Sequence, residues 1–217
     1  MTVVPNGRSV KDQVTGTGLR LTGMATIFES IRAGDLDAVR SAVRDDPSTA
    51  AARDDKGLSA VRAALYAHQQ VVADVLLEAG PELDVFDAAA AGDVDRLTEL
   101  LDGHGDLVGA WSDDGFNPLH LAEFFDRGEA VRLLLDRGAE VGAVARNDMS
   151  VQPLHSAVAA NSMEIVTALL VAGADPNARQ QGGFTPLMAA EQQEEEGDML
   201  RLLMDHGAQE SAQAPTE

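Results

Sequence analysis

Apolar residues recur along this chain at helical spacing. In Val131/Leu134/Leu135, Val166/Leu169/Leu170 and Met199/Leu202/Leu203 they fall at i, i+3 and i+4, which lines one face of an α-helix. Upstream of each lies a shorter apolar run opened by proline: Pro118-Leu119-His120-Leu121-Ala122, Pro153-Leu154-His155-Ser156-Ala157 and Pro186-Leu187-Met188-Ala189-Ala190. Proline is tolerated in a first helical turn, where its missing N–H has no helical partner. Asn117 and Thr185, just ahead, are good capping residues, and Gln152 is a poorer one. Gly138-Ala139, Gly173-Ala174 and Gly207-Ala208 close the three units. The pattern predicts pairs of short helices, repeated with the leucines 35 and then 33 residues apart.

The same register extends upstream in weaker form from Val85, Val61 and Ile27, so six units begin near positions 27, 61, 85, 119, 154 and 187. These segments resemble ankyrin repeats, whose signature is Thr-Pro-Leu-His-x-Ala in a period of about 33 residues. The resemblance covers roughly 25–208 and implies an all-α fold: an ankyrin-repeat solenoid of about six helix pairs with short β-turn fingers. One such unit cannot bury both of its faces, so stability must come from stacking. Residues 1–24 are expected to form a flexible arm and 209–217 a flexible tail, and Met24 reads as an alternative start. The first unit, with Arg32, Asp35, Asp37 and Arg40 outward, reads as one polar cap; the sixth, with Glu194-Glu195-Glu196, reads as the other.

One departure from the period stands out. Val61 and Val85 are only 24 residues apart, about ten short of the period. The finger between the second and third units is therefore expected to be missing, leaving a notch in the wall beside Ala90 and Ala91. The finger around Arg146 and Asn147 is expected to be two residues longer than the one after it.

Composition narrows the chemistry. Lys plus Arg number 16 against 36 Asp plus Glu, a net charge of −20, so nucleic acid and anionic membranes are disfavoured and basic or neutral partners favoured. Cysteine is absent, which removes disulfides and thiolate chemistry. No apolar stretch approaches membrane-spanning length, and a cytoplasmic location is expected. The serines at 112, 150, 156 and 162 lie in no Gly-x-Ser-x-Gly context, and no phosphate-cradling loop occurs, so no catalytic residue is assigned. Successive layers lie about 10 Å apart, too far for His120 and His155 to share a metal. The resemblance implies instead that these histidines bond neighbouring backbone, and neither metal nor cofactor is expected.

Aromatics make up only 4% of the chain, so their placement is informative. In ankyrin geometry the residues five and six positions after the motif leucine lie on the concave face. This places Tyr66, Ala90, Ala91, Phe124 and Phe125 there, with Phe116 and Phe184 in the fingers. Asp113 and Asp114 form an acidic rim, and Arg146, Asn147 and Gln181 complete the candidate contact surface. The resemblance implies a protein-interaction module, expected to be monomeric, and the acidic rim favours a partner with a basic segment. The alternatives are an acidic inhibitor or nucleic-acid mimic filling a basic site, or a regulatory accessory subunit of an enzyme.

Overall fold

The computed structural model describes residues 27–192 and 197–209. The expected arm, 1–24, the Glu194-Glu195-Glu196 run of the last unit and the expected tail from 210 onward lie outside them. The described helices form six antiparallel pairs: α1 (27–33) with α2 (Leu36–Asp45), α3 (Ala60–Tyr66) with α4 (Gln70–Glu78), and α5 (Val85–Ala91) with α6 (Val94–Gly103). The remaining pairs are α7 (Pro118–Phe124) with α8 (Gly128–Asp136), α9 (Pro153–Ala159) with α10 (Met163–Val171), and α11 (Pro186–Glu191) with α12 (Gly197–Asp205). Among the described residues there is no strand, only one antiparallel bridge between Arg53 and Ser59. The inner helices stack in the order α3, α5, α7, α9, α11, so the chain folds as an all-α solenoid.

The local chemistry explains each start. Ser59, Asn117 and Thr185 side-chain oxygens accept backbone N–H groups of the first turn, while Gln152 makes no such bond. Inside the stack, Leu119, Leu154 and Leu187 are buried with Val131, Leu134, Val166, Leu169, Met199 and Leu203. Leu202 is only half-buried, because its layer is terminal and has no described neighbour beyond it.

The fingers are tight turns rather than sheet. Asp54 N–H donates to Leu58 O, Ser112 N–H to Phe116 O and Gln180 N–H to Phe184 O. The equivalent bond in the long finger, Ala145 N–H to Val151 O, encloses two more residues. One pair of neighbouring fingers is joined through backbone: Arg146 N–H donates to Gly115 O at 2.8 Å. Gly115 has φ +83°, and a Cβ there would sit 2.6 Å from the Arg146 carbonyl oxygen, so only glycine fits.

Between α4 and α5 the chain uses only residues 79–84, with no finger. Leu83 is buried in the junction, and its carbonyl accepts from Arg96 Nε at 3.1 Å. Outer helices α2 and α4, α6 and α8, and α8 and α10 pack on one another, whereas α4 and α6 make no contact of that extent. The turns flanking the gap, 53–58 and 111–116, instead approach each other. A Cβ on Gly57 (φ +78°) would lie 2.7 Å from Asp113 Oδ2.

Candidate functional site

Buried polar groups replace the missing finger as the tie across this junction. Asp84 caps α5, and Asp87 in its first turn is buried beside Arg62 and Ser59. Asp87 Oδ1 accepts from Arg62 Nε and from Ser59 Oγ, both at 2.7 Å, while Oδ2 accepts from Arg53 Nη2 at 2.8 Å. Arg53 Nη2 also donates to Asp84 Oδ2 at 2.9 Å. One carboxylate thus joins the first finger, α3 and α5. Charge-assisted bonds of this kind are the strong ones.

Over this junction the rings of Tyr66, Phe124 and Phe125 converge. Tyr66 lies 5.3 Å from Phe125 and 6.0 Å from Phe124, and the two phenylalanines meet edge-on at 5.0 Å. Tyr66 belongs to α3, whereas Phe124 and Phe125 end α7, so the cluster spans the intervening α5. Tyr66 O–H donates to Asp114 Oδ2 at 2.9 Å. Burial and that carboxylate push the phenol well above its ordinary pKa.

Ala90 does not line an open notch. It is fully buried, and its carbonyl accepts from Arg127 Nε at 3.1 Å. Ala91 is half-buried and lines a cleft with Pro81 and Leu83 beside α6, away from the concave face. Small side chains here admit close packing rather than leaving space. The room left by the absent finger lies at the finger end of α5, a cavity of about 400 Å³ floored by Phe86 and Trp111.

The other singled-out residues divide between two places. Phe116, Phe124 and Phe184 line a concave groove of about 650 Å³ with Met149, and Phe124 and Met149 are 45% and 55% exposed. Asp113 and Asp114 border the finger cavity instead. Phe125 is half-buried against the core. Asn147 Nδ2 donates to Asp114 O at 3.0 Å, which fixes two fingers together. The Arg146 guanidinium lies 4.1 Å from the centre of the Trp111 ring. Gln181 contributes backbone to a 3-10 turn, Gln181–Gly183; its side chain lies outside the description.

His120 Nε2 donates to Val151 O at 3.3 Å and His155 Nε2 to Phe184 O at 3.1 Å, so each ties its helix to the next finger. Burial pushes both imidazoles below their usual pKa. Among the described residues no three His, Asp or Glu side chains are grouped to hold a metal.

Sequence reasoning missed Arg53, Arg62, Asp84 and Asp87, although two aspartates bracketing Val85-Phe86 where the fourth and fifth units carry Pro-Leu-His were a signal. It also missed Glu123, which is fully buried with neither carboxylate oxygen hydrogen-bonded. Burial pushes this carboxyl well above its usual pKa. The folded state therefore holds a proton the unfolded chain releases, and stability falls as pH rises from 4.5 through the folded value. The histidines act oppositely, since their contribution is present above 6.5 and lost as pH falls below it. In urea denaturation, Glu123→Gln should therefore lose stability more steeply than the wild type between about pH 7 and pH 5. Glu123→Leu, which restores the apolar type of Leu65 and Val158 at this unit position, should gain about 1–3 kcal/mol at neutral pH. A destabilised leucine variant would show that the carboxyl is needed in the fold.

An open stack of helix pairs with turn fingers defines a repeat protein of the ankyrin class, and comparison with known proteins agrees. A family model for ankyrin repeats in three copies matches residues 144–214, and one for a single ankyrin repeat matches 114–146. The chain carries ankyrin repeats. It is 33% identical over 122 residues to an ankyrin repeat-containing protein of Treponema pallidum, covering 52% of this chain and 40% of that protein. It is 38% identical over 95 residues to the Drosophila melanogaster neurogenic locus Notch protein, covering 43% of this chain and 3% of that one. With the chicken nuclear factor NF-kappa-B p105 subunit it shares 35% over 128 residues, covering 56% of this chain and 12% of the subunit. The chain thus spans less than half the length of these relatives. No helix among the described residues is long and apolar enough to cross a membrane.

Proposed function

We propose that this chain is a monomeric protein-binding module with no chemistry of its own, and that its concave groove over the fourth to sixth units seats an apolar anchor of a partner protein. One observation carries the reading. In a chain of net charge −20, a groove of about 650 Å³ is lined by Phe116, Phe124, Met149, Val151 and Phe184 and, among the described residues, by no Asp, Glu, Lys or Arg. Ordered apolar side chains that remain exposed on a rigid frame are typical binding hot spots. The net charge of −20 favours a partner with a basic flank, chiefly through its rate of association.

Capture of partners from lysate by the wild type, followed by affinity measurement on the captured protein, tests this. Phe124→Ala should weaken binding by a factor of about 30 or more, as loss of a hot-spot side chain does. Val171→Ala, at a 76% exposed position on α10 outside the groove, should not. Thermal melting should be nearly unchanged in both. A partner that binds Phe124→Ala as well as wild type would remove the groove as the binding surface.

A further inference from the structure

The second surface, the cavity at the finger end of α5, offers different chemistry from the groove. The turns at 111–116 and 145–151 meet through backbone, where Gly115 O accepts from Arg146 N–H. Here the turns 53–58 and 111–116 meet where Asp113 Oδ2 closes on Gly57, and beside that contact lies a cavity that the chain leaves unfilled. Its floor is apolar, made by Leu58, Phe86 and Trp111, and its rim is charged. Four carboxylates line it (Asp54, Asp84, Asp113 and Asp114) with the cations Arg53, Lys56 and Arg62.

Most of these charges are already engaged. Arg53 and Arg62 are held by Asp84 and Asp87. Asp114 accepts from Tyr66 O–H and Ser112 Oγ and lies 3.6 Å from Arg62 Nη1. Asp54 Oδ1 accepts the N–H groups of Lys56 and Leu58. Two rim groups remain exposed with no side-chain bond or ion pair among the described residues: the carboxylate of Asp113 and the ammonium of Lys56. Counting buried Asp87 behind the floor and Arg146 over Trp111, the site holds five carboxylates and four cations.

We propose that this slot binds an extended segment of a partner protein through one arginine side chain. The proposal rests on the partner-binding reading, but on a different surface from the groove. A volume of about 400 Å³ accepts a long side chain with its flanking backbone, not a folded element. The methylene stem lies over the apolar floor, as long cationic side chains do, and the head group reaches Asp113. A guanidinium suits this place better than an ammonium, because it is planar, weakly hydrated and pairs bidentately with a carboxylate. The fold already uses such pairings around the floor: Arg62 lies 5.7 Å from the centre of the Phe86 ring, and Arg146 stands over Trp111.

Trp111 is the only tryptophan, so its fluorescence reports on the slot directly. The full chain is titrated with acetyl-Gly-Ser-Arg-Ser-Gly-amide and with the same peptide carrying lysine or glutamine in place of arginine. The arginine peptide should give a saturable change at concentrations up to about 10 mM, the lysine peptide a weaker one and the glutamine peptide none. Asp113→Asn should weaken the arginine peptide by about tenfold. Lys56→Gln, which removes the unpaired rim cation, should tighten it. Phe124→Ala, in the groove, should leave it unchanged. Equal responses to arginine and glutamine peptides, no saturable change, or wild-type affinity in Asp113→Asn would overturn the proposal while leaving the groove reading standing. If Asp113→Asn fails to fold by circular dichroism, the Lys56→Gln titration decides: tighter binding supports the slot, and unchanged or weaker binding overturns it.

Discussion

Replacing Asp87 with alanine is expected to cost about 3–5 kcal/mol of unfolding free energy in urea, the range for removing one partner of a buried ion pair. Arg62 is as buried as Asp87, with side-chain exposures of 4% and 3%, so its guanidinium would keep only Asp114 Oδ2, 3.6 Å from Nη1, as a counter-charge. Arg53 and Ser59 would lose a partner in the same step. The effect should also be directional along the stack. Stability in a repeat protein is approximately a sum of unit terms and nearest-neighbour interface terms, and this substitution removes one interface term. The first two units should then unfold at lower urea than the last four, so that the Trp111 and circular-dichroism transitions separate. Coincident transitions with a loss below about 1 kcal/mol would mean that the network contributes no more than a surface pair.

The second large effect lies in the apolar layers. Leu134→Ala and Leu169→Ala are each expected to cost about 2–5 kcal/mol, since both side chains are fully buried and truncation adds a cavity to the lost transfer energy. Leu202→Ala, at the same position in the last unit, should cost clearly less, because Leu202 keeps contact with solvent. Equal losses at all three would show that the terminal layer is covered in solution.

These contrasts show which features the sequence made legible. The helix pairs could be read because their determinants are local: Pro118, Pro153 and Pro186 mark first turns, and the apolar i, i+3, i+4 sets mark outer helices. The six-residue link at 79–84 was legible as a shortfall in spacing. What fills the region was not, because Arg53, Arg62 and Asp87 are brought together from positions 25 and 34 residues apart. Ala90 fails for a related reason. Its offset from Val85 assigns it to the concave side of its helix, but its burial is set by neighbouring layers, and nothing within its own unit encodes them. Glu123 was hidden because a glutamate ending a short helix ordinarily faces water.

The short link also matters to anyone who would rebuild this molecule. Gly80 is exposed, with no heavy atom within 4 Å of where a Cβ would stand, and the Glu82 side chain is 91% exposed. Extra chain spliced in there would leave Leu83 and the Asp84 cap in place. Closing a longer loop costs only about 0.6 kcal/mol for each doubling of its length. The junction is thus an acceptor site for grafting, where a foreign loop can project outward from the wall while the repeats on either side supply its scaffold.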